Sequence, residues 1–347
     1  MTTSSGTPTP VYFLITSSGA AATRWLGSTL NAHPEICCSC GPGTLEIALD
    51  YDREVTPAEL ERIAAFHLEH SVGAGPEAAP IDAMFDLLET HRPAAVYGNI
   101  HAETVSSLAR KLEALPSRRR PGVVNLIRHP IPRTESKFHI LQGDAAASPG
   151  MARLSAVQFA GRLQRFPLLA ERIADQIGNF LEDPAQASFV NALFDTLEGM
   201  SEFSTPGLSD RIPHVQIERV QRDGEEFRSL FSRLTAGRVE LSDSFLEWVY
   251  SAANLRRGRA STGAVAAAPP RAAAEQWEAW EEWQRRAFRS AMDVHQLHLP
   301  YLKQGYEFGF VPEASAPRHP GLGARIPGLR RSVAPRVASP SLFNQMP

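Results

Sequence analysis

Three segments of the sequence carry cationic side chains, in two of them together with hydroxyl groups, at spacings suited to binding a phosphate ester. In residues 17–25, a loop of small residues precedes a threonine, an arginine and a tryptophan. The second segment has Arg128 at the end of an apolar run and Ser136 eight residues later. The third, residues 254–259, holds three arginines in four positions. A guanidinium binds phosphate oxygens through paired N–H donors, so the three segments predict a phosphate site if the fold brings them together.

The first segment has the order strand, small-residue loop, helix. Free backbone N–H groups and the positive end of the helix dipole point at such a loop, which suits it to phosphate. The pattern Gly-x4-Gly-Lys-Ser/Thr does not occur in the sequence, which disfavours a standard nucleoside-triphosphate site. The alternative is an ordinary turn with the tryptophan in the core. The candidate binding residues here are Ser17, Ser18, Gly19, Ala22, Thr23, Arg24 and Trp25.

The other two segments also have ordinary explanations. Pro130 and Pro132 favour a turn into a helix, which lets Arg128 and Ser136 face the mouth of a sheet. A surface arginine and a helix-cap serine would give the same pattern. The arginine run alone is typical of a solvated face.

Apolar runs place these segments at the ends of buried strands. Residues 11–16, 94–98 and 123–127 are short runs rich in β-forming residues, and residues 214–217 form a weaker fourth run. Helical segments separate the runs, and the first of them covers residues 23–33. The pattern predicts a single α/β domain with a central parallel sheet flanked by helices.

Helical insertions interrupt this domain at about residues 41–92 and 143–213. A capping box at Thr56 begins a helix that reaches about residue 70, and a similar device at Asp183 begins one that ends near residue 200. We expect a flexible N-terminus over residues 1–10, the domain over 11–311, a mobile loop over 260–274, and a Pro/Arg-rich tail over 312–347 that is poorly packed or reaches onto a partner.

Composition and charge exclude several classes of protein. The 347 residues carry 35 Lys and Arg against 38 Asp and Glu, a net charge of −3, so no global basic field attracts nucleic acid or an anionic membrane. No apolar run approaches the roughly 20 residues that cross a bilayer, and residues 1–10 do not resemble a secretory signal. We expect a cytoplasmic protein that acts on a small molecule. Its oligomeric state stays open, with a homodimer as one possibility.

The three cysteines are Cys37, Cys38 and Cys40. The first and last have the spacing of a redox motif, and a pair could contribute to a zinc site. An odd number of cysteines with no distant partner, and no second Cys/His pair, favours reduced structural thiols and no metal.

In this order and spacing, the segments resemble the PAPS-dependent sulfotransferase superfamily, in its cytosolic and bacterial small-molecule members. PAPS is 3′-phosphoadenosine 5′-phosphosulfate. The family's loop, helix and Asn-x-His-Pro ending align without gaps with residues 20–34. The resemblance implies that Thr23 and Arg24 meet the 5′-phosphate of PAPS and that Trp25 stacks on its adenine.

The resemblance extends along most of the chain, over about residues 11–310. It implies that Arg128 and Ser136 hold the 3′-phosphate, and that a segment closes over this phosphate, formed by Arg256, Arg257 and Gly258. Residues 277–288, with Gly305 and Tyr306 beyond them, look like the closing helix of bacterial members.

One position departs from the family's pattern. The loop lysine that bridges the sulfuryl group and the leaving phosphate falls on Ala20. Removing one such donor typically costs about 10²–10³ in rate, so an intact enzyme needs a substitute. Arg24 is the candidate, with Ser17, Ser18 and the loop amides as neutral donors. Another register, which aligns residues 17–19 with Lys-Ser-Gly, moves the tryptophan out of place.

The acceptor needs a general base with a pKa near working pH, which histidine provides. His101 stands where the family has its catalytic histidine, and Glu103 would orient it or replace it. The resemblance thus implies an enzyme that moves a sulfuryl group from PAPS to a hydroxyl or amine of a small molecule, with the helical insertions forming the acceptor pocket. Ala20 keeps two alternatives open: a non-catalytic nucleotide-binding or scaffold protein of this fold, and a same-fold enzyme with altered chemistry.

Overall fold

The structure is a computed structural model, and it describes residues 9–17, 19–40, 56–71, 81–101, 112, 116, 119–204, 212–256 and 272–311. Within these ranges, the side chains of residues 66, 69–71, 101, 201–204 and 256 are outside the description. The N-terminus predicted to be flexible lies outside it up to residue 8, and the Pro/Arg-rich tail lies outside it entirely. So does most of the predicted mobile loop, although its residues 273 and 274 begin a helix.

Five parallel strands form one sheet in the order β2-β3-β1-β4-β5, which confirms the predicted α/β class. The edge strand β2 was not predicted, because its run of Ile, Cys and Ser was interpreted only through its thiols. The strands are β1 (Val11–Ser17), β2 (Ile36–Cys40), β3 (Val96–His101), β4 (Gly122–Ile127) and β5 (His214–Gln216).

Helices surround the sheet and build a second layer beside it. In the described residues they are α1 (Thr23–Asn31), α2 (Pro57–Ser71), α3 (Ile81–His91), α4 (Pro130–Ala147), α5 (Pro149–Arg165), α6 (Pro167–Ile177), α7 (Pro184–Ser204), α8 (Ile217–Val220), α9 (Gly224–Thr235), α10 (Asp243–Val249), α11 (Ala252–Arg256), α12 (Ala273–Ala279), α13 (Glu282–His295) and α14 (His298–Lys303).

Alternating side chains of the strands supply two hydrophobic clusters, one on each face of the sheet. Phe13 and Ile15 of β1 pack with residues of α1 and α9, whereas Tyr12 and Leu14 pack with residues of α3. Residues of a parallel strand point alternately to opposite faces, and both faces are covered here, so the strands read as continuous apolar runs.

A third hydrophobic cluster lies in the helical layer, formed by α4 to α7 and α12 to α14. Both predicted helix starts in this part of the chain are confirmed. Thr56 N–H donates to Glu59 Oε2 at 2.8 Å before α2, and Asp183 Oδ1 accepts from Ala185 N–H at 2.8 Å before α7. The segment likened to a single closing helix is two helices, because Glu281 begins a new capping box with Gln284.

Candidate functional site

The carboxyl ends of the parallel strands bring most candidate residues to one edge of the sheet. Thr16 of β1 pairs with His101 of β3, and Ser17 pairs with Leu126, two residues before Arg128. From this edge the chain leaves β1 toward β2 on one side, and it leaves β4 toward β5 on the other. Ligands of open α/β sheets bind in the crevice where connections diverge in this way.

Arg128 joins the first and second segments at this crevice. Its Nη1 donates a hydrogen bond of 2.7 Å to the carbonyl oxygen of Ala20, across 108 residues of sequence. The side chain is half-buried, and this burial lowers its pKa, while the Glu218 carboxylate acts in the opposite direction. Arginine stays charged even so, which leaves a desolvated cation directly against the first loop.

The first loop has an unusual backbone. Gly19, Ala20 and Ala22 all have positive φ, at 84°, 53° and 52°, and two of them carry a Cβ that normally disfavours this region. Ala22 is the N-cap of α1 and makes no side-chain capping bond, so no side chain of the cap covers the first amides of the helix. The Ser17 hydroxyl is fully buried and accepts the Gly19 N–H at 3.0 Å, which stabilises the loop internally.

Thr23 and Arg24 begin α1 and face the end of β2. The Thr23 side chain is hydrogen-bonded to the thiol of Cys40, and Arg24 interacts electrostatically with the same thiol. Burial raises the pKa of Cys40 to about 11, so the thiol is neutral at physiological pH. Sequence reasoning did not place Cys40 in the site. Cys37 and Cys40 are three positions apart on one strand and therefore point to opposite faces, which excludes a disulfide between them, and all three cysteines are free.

Trp25 requires a correction. Its indole is only 3% exposed and packs in the cluster beneath the sheet, with no hydrogen bond to its Nε1. A ring in this position presents no open face for stacking on adenine. The alternative considered from sequence, a core tryptophan after an ordinary βα turn, describes its position better. The cause is helical geometry, because Trp25, Leu26 and Leu30 share the face of α1 that packs on the sheet.

His129, next to Arg128, has a structural role. Its Nδ1 accepts the N–H of Ile131 at 3.2 Å and so caps α4, and its Nε2 lies 3.1 Å from the carbonyl oxygen of Glu307. Its backbone N–H donates to Glu218 Oε1 at 2.8 Å. Tyr306 donates to the other oxygen of Glu218 at 3.0 Å. This carboxylate therefore ties together β4, α8 and the segment after α14, and sequence reasoning missed it.

The remaining candidates are placed only in part. Ser136 is half-buried on α4, six residues after the first residue of that helix. The backbone of His101 lies at the edge beside Thr16, and its side chain is outside the description. Ser18, Glu103, Arg257 and Gly258 lie outside the described residues, as does the side chain of Arg256, the last residue of α11.

Near the carboxyl ends of the strands, a row of polar residues crosses from β1 through β4 to β5. Thr16 lies opposite Asn125, which lies opposite His214 on β5. The Thr16 hydroxyl donates to Asn125 Oδ1 at 3.0 Å, and Asn125 Nδ2 lies 3.0 Å from His214 Nδ1. Thr16 and Asn125 are both 1% exposed, so each needs the other as a partner. Polar residues within apolar strand runs were the signal in the sequence for this row.

A comparison with models of known protein families found no match, and a search of curated proteins found no similar sequence. Over the described part of the chain, no three His, Cys, Asp or Glu side chains are grouped closely enough to hold a metal ion. Nor does any described helix combine the length and apolarity needed to cross a membrane.

Proposed function

We propose that the protein is a sulfotransferase that moves a sulfuryl group from PAPS to a hydroxyl or amine of a small molecule. The observation that carries the proposal is the hydrogen bond of 2.7 Å that Arg128 Nη1 donates to the carbonyl oxygen of Ala20. It joins the two segments that resemble the family's 5′-phosphate and 3′-phosphate motifs, at the crevice where ligands of α/β sheets bind. The donor nucleotide would contact both segments, with its 5′-phosphate at the first loop and its 3′-phosphate at Arg128.

Several features support a phosphate at the first loop. Two alanines hold left-handed backbone conformations that cost of order 1 kcal/mol or more each, a strain that clusters at ligand sites. The start of α1 has no acidic residue and no side-chain cap, so its amides and the helix dipole favour an anion. The half-buried Arg128 guanidinium lies beside this loop, where it would contact the 3′-phosphate of the same nucleotide.

Transfer also needs groups that stabilise the leaving phosphate and activate the acceptor. With Ala20 in place of the family's lysine, Arg24 at the helix start is the cation proposed to balance charge on the leaving oxygen. His101 is proposed as general base, since its strand ends beside β1, with Glu103 as its orienting partner. Sulfuryl transfer depends on alignment and on stabilising charge rather than on covalent work by the protein, and these side chains are proposed to supply both.

The nucleotide site is tested by thermal unfolding with 3′-phosphoadenosine 5′-phosphate and with AMP, which lacks the 3′-phosphate. We expect both to raise Tm in the wild type, because ligands that bind only the folded state stabilise it. The variant Arg128→Ala should bind the bisphosphate at least about tenfold more weakly and AMP unchanged, since a phosphate oxygen loses a charged partner. Arg222→Ala, at an exposed arginine of the α8–α9 turn, is the matched control.

An equal loss of affinity for the two nucleotides in Arg128→Ala would contradict the assignment of Arg128 to the 3′-phosphate. If the wild type binds neither nucleotide, the proposed function is wrong. Turnover is measured with labelled PAPS and a pool of phenols, alcohols and amines. We expect His101→Ala to abolish most transfer while nucleotide binding persists. Binding without turnover in the wild type would instead establish the non-catalytic alternative motivated by Ala20.

A further inference from the structure

A cavity of about 180 Å³ lies between α2, α4 and α5 in the helical layer. The cavity is partly open to solvent, and an apolar cavity of about 150 Å³ is enough to hold a benzene ring. The volume here therefore fits one ring with a small substituent. Five of its lining side chains are apolar, Ile63, Ile140, Leu141, Met151 and Leu154, and the polar groups come from His67, Lys137, Asp144, Ser155 and Gln158.

Hydrogen bonds between the helices hold the walls of the cavity in place. Glu61 Oε1 of α2 accepts from the Ser148 hydroxyl at 2.7 Å and from the Gly150 N–H at 2.9 Å. A Cβ at Gly150 would lie 2.3 Å from Glu61 Oε2, so glycine permits this close approach. Ser155 of α5, which also lines the cavity, accepts a hydrogen bond of 3.1 Å from Asn191 Nδ2 of α7. The cavity is thus preformed, which lowers the entropic cost of filling it.

Lys137 supplies a cation to the wall of this cavity. Its Nζ lies 3.4 Å from Asp195 Oδ1, and the same carboxylate is bound more closely by Arg133 at 3.0 Å and by Arg162. An ammonium has three N–H donors, so one shared and rather long contact leaves it capacity to bind a second anion. Asp144 also lines the cavity, but seven residues further along α4, about 10 Å away along the helix axis.

We propose that this cavity binds a small aromatic monocarboxylate, with its ring among the aliphatic walls and its carboxylate on Lys137. None of the residues proposed to bind the nucleotide lines this cavity, and the cavity needs no nucleotide to form. Contact with the apolar side chains favours binding of the ring, because it removes apolar surface from water. The ammonium at one end selects a carboxylate over a neutral group, because the bond is then between two charged partners.

Benzoate and benzyl alcohol are the probes, because they share a ring and differ in charge. Each is titrated calorimetrically into the full chain at pH 7, in the wild type, in Lys137→Met and in Lys303→Met. The last is the control, at an exposed lysine on α14. We expect benzoate to bind the wild type and Lys303→Met equally and at least about tenfold more tightly than benzyl alcohol, and Lys137→Met to lose that preference.

Lys137→Met also removes a partner of Asp195, so two more variants guard against misfolding. Lys137→Arg keeps the charge and should retain the preference for benzoate, while Met151→Phe fills the cavity and should weaken both probes. Absence of benzoate binding at millimolar concentration would overturn the proposal. So would equal affinity for the two probes in the wild type, or an unchanged preference in a folded Lys137→Met protein.

Discussion

Among single residues, neighbours at the sheet edge differ in role because their side chains meet different surroundings. Arg128 and His129 are consecutive, yet the first contacts the Ala20 carbonyl in the loop and the second caps α4. Burial lowers the pKa of His129 to about 4, with the adjacent Arg128 acting in the same direction. Its neutral ring is therefore part of the folded state, and protonation opposes folding.

This burial makes stability depend on pH. The unfolded chain binds a proton at residue 129 near pH 6.5 and the folded chain only near pH 4, so the histidine's contribution is complete above about 6.5 and is lost as pH falls toward 4. Between pH 7 and pH 5, His129 therefore lowers the free energy of unfolding by about 2 kcal/mol. His129→Asn keeps a helix-capping side chain but cannot titrate. We therefore expect the free energy of unfolding in urea to fall between pH 7 and pH 5 by about 2 kcal/mol less in the variant than in the wild type. An equal fall in both proteins would refute the lowered pKa of His129.

At the scale of elements, parallel strands and helix starts could be predicted because local sequence determines them. Apolar runs predicted four of the five described strands, and the capping box at Thr56 predicted the start of α2. Strand β2 was missed because cysteine has several roles. The surroundings of Trp25 and Glu218 could not be predicted, because they are set by tertiary packing and not by local sequence.

The packing of β1 against β3 gives a test at this scale. Gly98 lies opposite Phe13, and a Cβ there would lie 1.9 Å from the phenyl ring. Gly98→Ala should therefore destabilise the protein by about 3 kcal/mol, the upper part of the range for overpacked cores. Gly161→Ala is the control, on an exposed position of α5 with open space around it, and should stabilise the protein by about 0.5–1 kcal/mol. Denaturant unfolding measures both, and an unchanged midpoint for Gly98→Ala would contradict the close packing.

Across the whole molecule, α4 connects the sheet edge to the helical layer. It begins directly after Arg128 and His129, and its Ile131 packs in the helical cluster. Further along, Arg133 is 1% exposed and bound to Asp195 of α7. The position of the proposed phosphate site therefore depends on packing in a layer that lies outside the sheet.

Asp195 is the shared anion of that layer, and its removal is expected to be costly. Although burial acts to raise the pKa of Asp195, the cations Lys137, Arg133 and Arg162 lower it to about 2. Asp195→Asn would leave buried guanidinium groups without their carboxylate, which typically costs about 3–5 kcal/mol. Asp175→Asn, at an exposed position of α6, should change stability by less than about 0.5 kcal/mol. Guanidinium chloride unfolding at pH 7 compares the two variants, and similar midpoints would mean that the layer is held by its apolar contacts alone.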